Sequence, residues 1–263
     1  MDKQFAIAFL SVVPLRANAS HTSEMVSQVL FGETMQVLEQ EDHWLRVKTY
    51  FDDYEGWIDE KQVKFLDDSS IQKLNQNTQF LTLDINTLAL KGPQKEPIYL
   101  CAGSLLPFFE EGKCTLDDEQ YQIISNNVMM PNADDFAGDV EEIAKRFLNA
   151  PYLWGGRTHF GIDCSGFTQM VFKMLGKKIK RDASQQAEQG TLVNFLTEAK
   201  AGDLAFFDNE EGRITHVGIM LNNSQIIHAS GRVKIDFIDN QGIFSTDLKK
   251  YSHKLRIIKR YQN

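Results

Sequence analysis

The chain has 263 residues, which at about 150 residues per domain suggests roughly two domains, with three small ones also possible. Its 42% hydrophobic content fills ordinary globular cores, while a formal net charge of -8 without any basic run argues against nucleic acid as a partner. Three cysteines, an odd and sparse set, exclude a disulfide framework.

Residues 5–13 are apolar and Ala17-Asn18-Ala19 has the A-x-A form of a signal-peptide cleavage site. Asp2 beside Lys3, Ser11, Pro14 and Arg16 fit that reading poorly. A buried strand is therefore expected over 5–13, with a cytoplasmic location; a periplasmic or secreted protein is the alternative. No stretch is long enough to span a membrane. Next come short runs rich in Val, Leu and aromatics at 26–30, 34–38, 44–49 and 56–58, punctuated at Gly32, Glu41-Asp42 and Asp52-Asp53. They predict a small β-barrel. Strands are expected again at 80–83, 88–90, 98–102 and 121–125, as a second, degenerate barrel, with a linker over 126–135.

From Asp135 the pattern changes to helical spacing at Val140, Ile143, Ala144, Phe147 and Leu148, ended by Pro151. A second helix over 165–175 opens at Asp163 and Cys164, and 183–189 reads as a short polar helix. Strands follow at 204–207, 216–221, 225–229, 233–237 and 255–261. Helices followed by strands predict an α+β fold, with domains over 1–68, 69–130 and 131–263.

A cysteine in the first turn of a helix is a chemical signal. The helix N-terminus lowers a thiol pKa and an adjacent imidazolium lowers it further, which yields a nucleophilic thiolate. Cys164 has this placement; Gly166 would let a substrate backbone approach, and Phe167 would anchor the helix inward. The preceding Tyr152-Leu153-Trp154-Gly155-Gly156 reads as a cleft wall. His216 and His228 lie on two expected neighbouring strands, which suits a base facing the thiol and an orienter fixing its tautomer. His21, His43, His159 and His253 read as surface or loop residues. Cys101 and Cys114 read as small core residues, with a mutual disulfide as the alternative in an oxidising compartment. Without CxxC or HExxH spacing, no metal site is expected.

The strings PYLWGG, DCSGF, RDASQQ, AGDLAFF, THVGIM and IIHAS, in this order, resemble the NlpC/p60 family of papain-like cysteine peptidases from Asp135 onward. Residues 20–66, with Phe31-Gly32-Glu33, the Trp44 strand and Gly56-Trp57, resemble a bacterial SH3-like domain. The resemblance implies a bacterial source, a helix carrying Cys164 packed on an antiparallel sheet carrying both histidines, and murein peptides as substrates. The layout is similar to that of γ-D-glutamyl-L-diamino acid endopeptidases. Those enzymes act in murein recycling and require a free N-terminal L-Ala, because the first SH3-like domain closes the cleft. That resemblance implies Glu33 and Asp163 on the substrate amine, Tyr54 at the mouth of the cleft, Ser165 among the substrate contacts, and the Tyr152 phenol near the oxyanion. Where the family carries a serine after Arg181-Asp182 this chain has Ala183, with Ser184 one place later. No cofactor is implied, a monomer is expected, and diaminopimelate and lysine both remain open at the third substrate position. A wall-binding module and an amidase or acyltransferase on the same scaffold are the alternatives.

Overall fold

The computed structural model describes residues 4–261, so Asp2 and Lys3 lie outside the described residues. The chain divides into two units at Pro131 and Asn132. In the first unit the short apolar runs become seven antiparallel strands: β1 (Phe5–Ala8), β2 (Val12–Arg16), β3 (Met25–Leu30), β4 (Thr34–Glu41), β5 (Trp44–Thr49), β6 (Glu55–Asp59) and β7 (Val63–Leu66). They form one sheet in the order β3-β2-β6-β5-β4-β1-β7.

β1 is apolar throughout because both of its faces are covered. Ala6 and Ala8 enter a core with Val13, Leu15, Val29, Leu45, Val47 and Ile58. Ile7 enters another with Phe31, Leu66, Leu100 and Tyr121. The run expected as one strand over 5–13 is broken, since the chain bends at Leu10 and Ser11 before β2 starts. Cleavage after Ala19 would remove two strands of this sheet.

Where only strands were expected, α1 (Asp68–Gln76) forms, its N-terminus capped by the Asp67 side chain accepting from the Ser70 N–H. It has only Ile71 and Leu74 as apolar residues, too few for a visible period. Then follow β8 (Leu81–Thr82), β9 (Asn86–Lys91), β10 (Glu96–Cys101), β11 (Lys113–Leu116), β12 (Glu119–Ile123) and β13 (Val128–Met129). Four of these make a sheet in the order β10-β9-β12-β11, and β13 pairs with β8 inside the segment expected as a linker. Cys101 and Cys114 are buried and unpaired.

The second unit comprises α2 (Phe136–Lys145), β14 (Arg157–Thr158), β15 (Gly161–Ile162), α3 (Cys164–Met174), α4 (Ala183–Ala187), β16 (Thr191–Val193), β17 (Leu204–Asp208), β18 (Ile214–Met220), β19 (Gln225–Ser230), β20 (Arg232–Asp239), β21 (Gly242–Ser245) and β22 (Lys250–Arg260). The sheet runs β16-β22-β17-β18-β19-β20-β21, and β21 pairs back with β22, which closes six strands into a barrel. α3, buried along its whole length, packs against α2, β18 and β19. Leu148, assigned to the apolar stripe of the first helix, lies beyond its end and is exposed. Among the described residues no helix is long and apolar enough to cross a membrane.

Candidate active site

The start of α3 is held by one buried carboxylate. Asp163 Oδ1 accepts from the Gly166 N–H at 2.6 Å and the Ser165 hydroxyl at 3.3 Å, and Oδ2 accepts from the Gly155 N–H at 2.8 Å. Arg181, 1% exposed, grips the same carboxylate through both terminal nitrogens, at 3.0 and 2.6 Å, and also donates to Ser165 Oγ at 2.9 Å. A guanidinium is buried at tolerable cost only in this bidentate, hydrogen-bonded form. Asp163 and Ser165, expected to contact substrate, are thus the anchor of the nucleophile's helix in this structure. Gly166 has a role different from the one expected: a Cβ there would lie 2.3 Å from the Gly156 carbonyl oxygen. The backbone that approaches it is the chain's own 152–156 loop.

That loop is exposed at Tyr152, Leu153 and Trp154. Its backbone is pinned by the Tyr152 N–H donating to Gly231 O at 2.9 Å. Partial desolvation of its hydroxyl, followed by its acidic neighbours, pushes the Tyr152 phenol up to about 12, so it stays a neutral donor. Ala183 and Ser184 open α4, Ala183 buried and Ser184 exposed.

Cys164 opens α3 as expected, but its thiol is shifted in the opposite direction. Burial, followed by the Asp163 charge, pushes it up to about 12, against hydrogen bonds from the Val217 and Ser165 N–H groups. The Val217 contact sets the sulfur against β18, the strand that carries His216. His216 is itself held well below 6.5 by burial and by the neighbouring His228 and His253. Burial is the largest of these influences on the thiol.

His216 Nε2 and His228 Nδ1 are 2.8 Å apart across β18 and β19. His228 Nε2 is 3.1 Å from Asp236 Oδ2, a residue the sequence reading did not single out. Asp236 also accepts from the Thr246 N–H and hydroxyl at 3.0 and 2.7 Å, and pairs with Lys234 at 3.3 Å. Burial alone would raise the Asp236 pKa, but the bonds from His228 and Thr246 hold it below the usual carboxylate range. The carboxylate only accepts, so the tautomers follow in order. His228 carries its proton on Nε2 and offers the Nδ1 lone pair. His216 donates Nε2–H to it, which leaves the His216 Nδ1 lone pair as the basic site.

His253 lies in β22 and is half-buried, not a loop residue. Its ring stacks on His216 with centroids 4.0 Å apart, and burial with the His228 charge brings it down to about 4. It lies in a mostly polar stretch of β22, whose sequence carries no sign of a covered face. His159 lies in the turn between β14 and β15, as expected of a loop residue, and there stacks on Phe147 at 4.1 Å and bonds the Arg146 carbonyl. The nitrogens of His216, His228 and His253 lie within 4.8 Å of one another. Two of them are spent on the same hydrogen bond, so the arrangement is a proton relay and not a metal cage.

All three of these histidines sit below the ordinary 6.5. As pH falls below 6.5 the unfolded chain takes up protons that the folded one refuses, so stability drops from 6.5 towards about 4 and is fully present above 6.5. A Tm series over that window is expected to fall, and His253→Phe, which keeps a ring on His216, is expected to flatten it.

Glu33 and Tyr54 belong to the first unit. Glu33 is buried in the turn between β3 and β4, where Oε2 accepts from the Leu30 N–H at 2.8 Å. Tyr54 is half-buried against the core of the seven-stranded sheet.

A model of the NlpC/P60 family matches residues 149–251, and a model of the bacterial dipeptidyl-peptidase Sh3 domain matches residues 15–63. A gamma-D-glutamyl-L-lysine dipeptidyl-peptidase of Bacillus subtilis (strain 168) is 33% identical over 217 residues, covering 77% of this chain and 71% of that protein. Dipeptidyl-peptidase 6 of Lysinibacillus sphaericus is 26% identical over 260 residues, covering 90% and 92%. The crystal structure of an NlpC/P60 family protein from Bacillus cereus ATCC 10987 superposes with a TM-score of 0.84 over 98% of this chain and 99% of that one. At 20% identity that likeness shows a shared fold. With a relative this similar spanning both units, the chain belongs to the NlpC/P60 family and is a cysteine-type peptidase.

Proposed function

We propose that this peptidase cleaves the γ-D-glutamyl–L-diamino acid bond of murein peptides that begin with a free L-Ala, in the recycling of wall fragments in the cytoplasm. The observation that supports it most is the line of bonds from His216 through His228 to Asp236, on the strands against which the helix opened by Cys164 packs. In this reading α3 and the barrel are a papain-like pair, and the sheet of β9 to β12 is a second, degenerate SH3-like module.

Burial raises the Cys164 thiol pKa, which favours transfer of its proton as attack occurs. The Sγ proton passes to His216 Nδ1 as sulfur bonds the γ-carbonyl carbon of D-glutamate. The oxyanion is held by the Cys164 N–H and the Tyr152 hydroxyl. The C–N bond breaks, His216 returns the proton to the departing amine, and a thioester remains. Water then attacks, giving its proton to His216, and L-Ala-D-Glu leaves as the thiol re-forms. No step calls on a metal or an organic cofactor.

The family resemblance implies that Glu33 supplies negative charge for the substrate amine; the same role is implied for Asp163, whose charge Arg181 largely offsets. Tyr54 and Ser165 complete the substrate contacts that the family resemblance implies. Glu33→Gln is expected to raise KM for free-amine peptides with little change in kcat; an unchanged KM removes Glu33 from recognition.

The experiment is product mass spectrometry on L-Ala-γ-D-Glu-L-Lys, its diaminopimelate counterpart and their N-acetylated forms. Release of L-Ala-D-Glu from the free peptides alone is expected. Cleavage of the acetylated forms as well would overturn the amine requirement. Cleavage of none would overturn the substrate class.

A further inference from the structure

We infer that the first unit carries a divalent transition-metal site built from His21, His43 and Asp59, independent of the peptidase chemistry. Their sequence spacing matches no metal motif, yet the fold brings them together. His21 lies in the connection between β2 and β3, His43 in the turn between β4 and β5, and Asp59 at the end of β6. One ligand atom of each lies within 4.8 Å of the others, and His21 Nε2 is 3.6 Å from Asp59 Oδ2. Bonds of about 2.0–2.1 Å in a tetrahedral site put ligand atoms roughly 3.4 Å apart. The His21–Asp59 edge is close to that value already. The remaining edges are no longer than 4.8 Å; the 67% exposed His21 side chain is free to shorten its edge to His43, and rotation of the His43 side chain would shorten the edge to Asp59.

The Asp59 carboxylate and the backbone that carries His43 are held in place. The Asp59 side chain is 8% exposed, and its Oδ1 accepts from the Lys61 N–H at 3.0 Å, which turns Oδ2 toward His21. The His43 carbonyl accepts from the Glu60 N–H at 2.9 Å, and the next residue, Trp44, pairs with Asp59 across β5 and β6. These contacts fix the turn that carries His43 to the strand that carries Asp59. The buried Trp44 indole packs against both imidazoles, with centroids 4.8 Å from His21 and 5.6 Å from His43. An outer shell that orients each ligand is what separates a metal site from a chance cluster.

The donor set selects the ion. Two imidazoles and one carboxylate suit Zn²⁺ and its neighbours Ni²⁺ and Cu²⁺, while Ca²⁺ and Mg²⁺ require oxygen ligands. Three protein ligands at a partly exposed position leave room for water. A bound ion would clip the β2–β3 connection to the ends of β4 and β6 and so stabilise the first unit. The alternative, a plain His21–Asp59 ion pair, has no need of metal.

The test titrates the full-length, metal-stripped protein with Zn²⁺ against a chromogenic chelator and records Tm at each addition. The wild type is expected to take up about one equivalent with a concentration-dependent rise in Tm. Losing an outer-shell partner costs about 10–100-fold in affinity, so His21→Ala and His43→Ala should each weaken this binding by more than about 100-fold. His253→Phe, which alters the histidine cluster of the other unit, should retain it. His21→Ala changes an exposed turn residue and tests the site without threatening the fold. Absence of Zn²⁺ uptake by the wild type would overturn the site. So would an equivalent that survives His21→Ala with His43→Ala, or one lost in His253→Phe.

Discussion

Cys164→Ala is expected to lower kcat/KM for L-Ala-γ-D-Glu-L-Lys by roughly four orders of magnitude or more. The variant retains whatever rate comes from binding and the oxyanion donors, but no atom is left to form the thioester. His216→Ala should cost a similar amount, and the double variant little more than either single one, because the pair acts as a unit. Cys164 is buried against β18, and alanine preserves its place in the first turn of α3. The unfolding midpoint should therefore move little, which separates lost chemistry from lost fold. Product quantification under single-turnover conditions checks this; a variant with about a tenth of wild-type turnover would rule out thioester chemistry at Cys164.

Asp236→Asn is expected to lower kcat by about 10²- to 10³-fold with KM nearly unchanged, although Asp236 touches no substrate. The comparable change in a serine peptidase costs about 10⁴ because it imposes the wrong tautomer; here the carboxylate acts through one more imidazole, so a smaller effect follows. Asp236 Oδ1 faces two donors on Thr246, and Oδ2 faces His228 and the Lys234 ammonium. An asparagine must turn its NH₂ toward one of these sides. The Thr246 backbone N–H cannot move away, whereas Lys234 has Asp247 as a second partner at 2.9 Å. The NH₂ therefore faces His228, whose Nε2 must then accept and whose Nδ1 must carry the proton. That forces His216 Nε2 to accept and places a proton on Nδ1, where the base lone pair is needed. Steady-state kinetics supply the test, and a kcat within about threefold of wild type would show that the relay does not set the tautomer.

Local sequence is enough for whatever depends on neighbours along the chain. The first turn of α3 is legible because Asp163 is a capping residue, Gly166 lies three positions on, and the apolar spacing from Phe167 to Leu175 is helical. The pairing of His216 with His228 is legible because two short apolar strands joined by a tight turn become neighbours. α1 is not legible, since Ile71 and Leu74 alone give no period, and β21 is only four residues long. The closure of the barrel through β21 and β22 depends on register between distant strands, which no local pattern encodes.

The same divide runs through the chemistry. Sequence alone determined that a cysteine stands at a helix N-terminus with two histidines downstream. Tertiary structure decided the direction of the thiol shift, because burial, its largest cause, is a property of the packed whole. It assigned Asp236 to His228 through a diagonal contact between paired strands, and it stacked His253 on His216. It also gathered His21 and His43, from two connections, beside Asp59 at the end of β6. A one-dimensional pattern records spacing along the chain, whereas tautomers, desolvation and ligand sets depend on distances that only the folded chain creates.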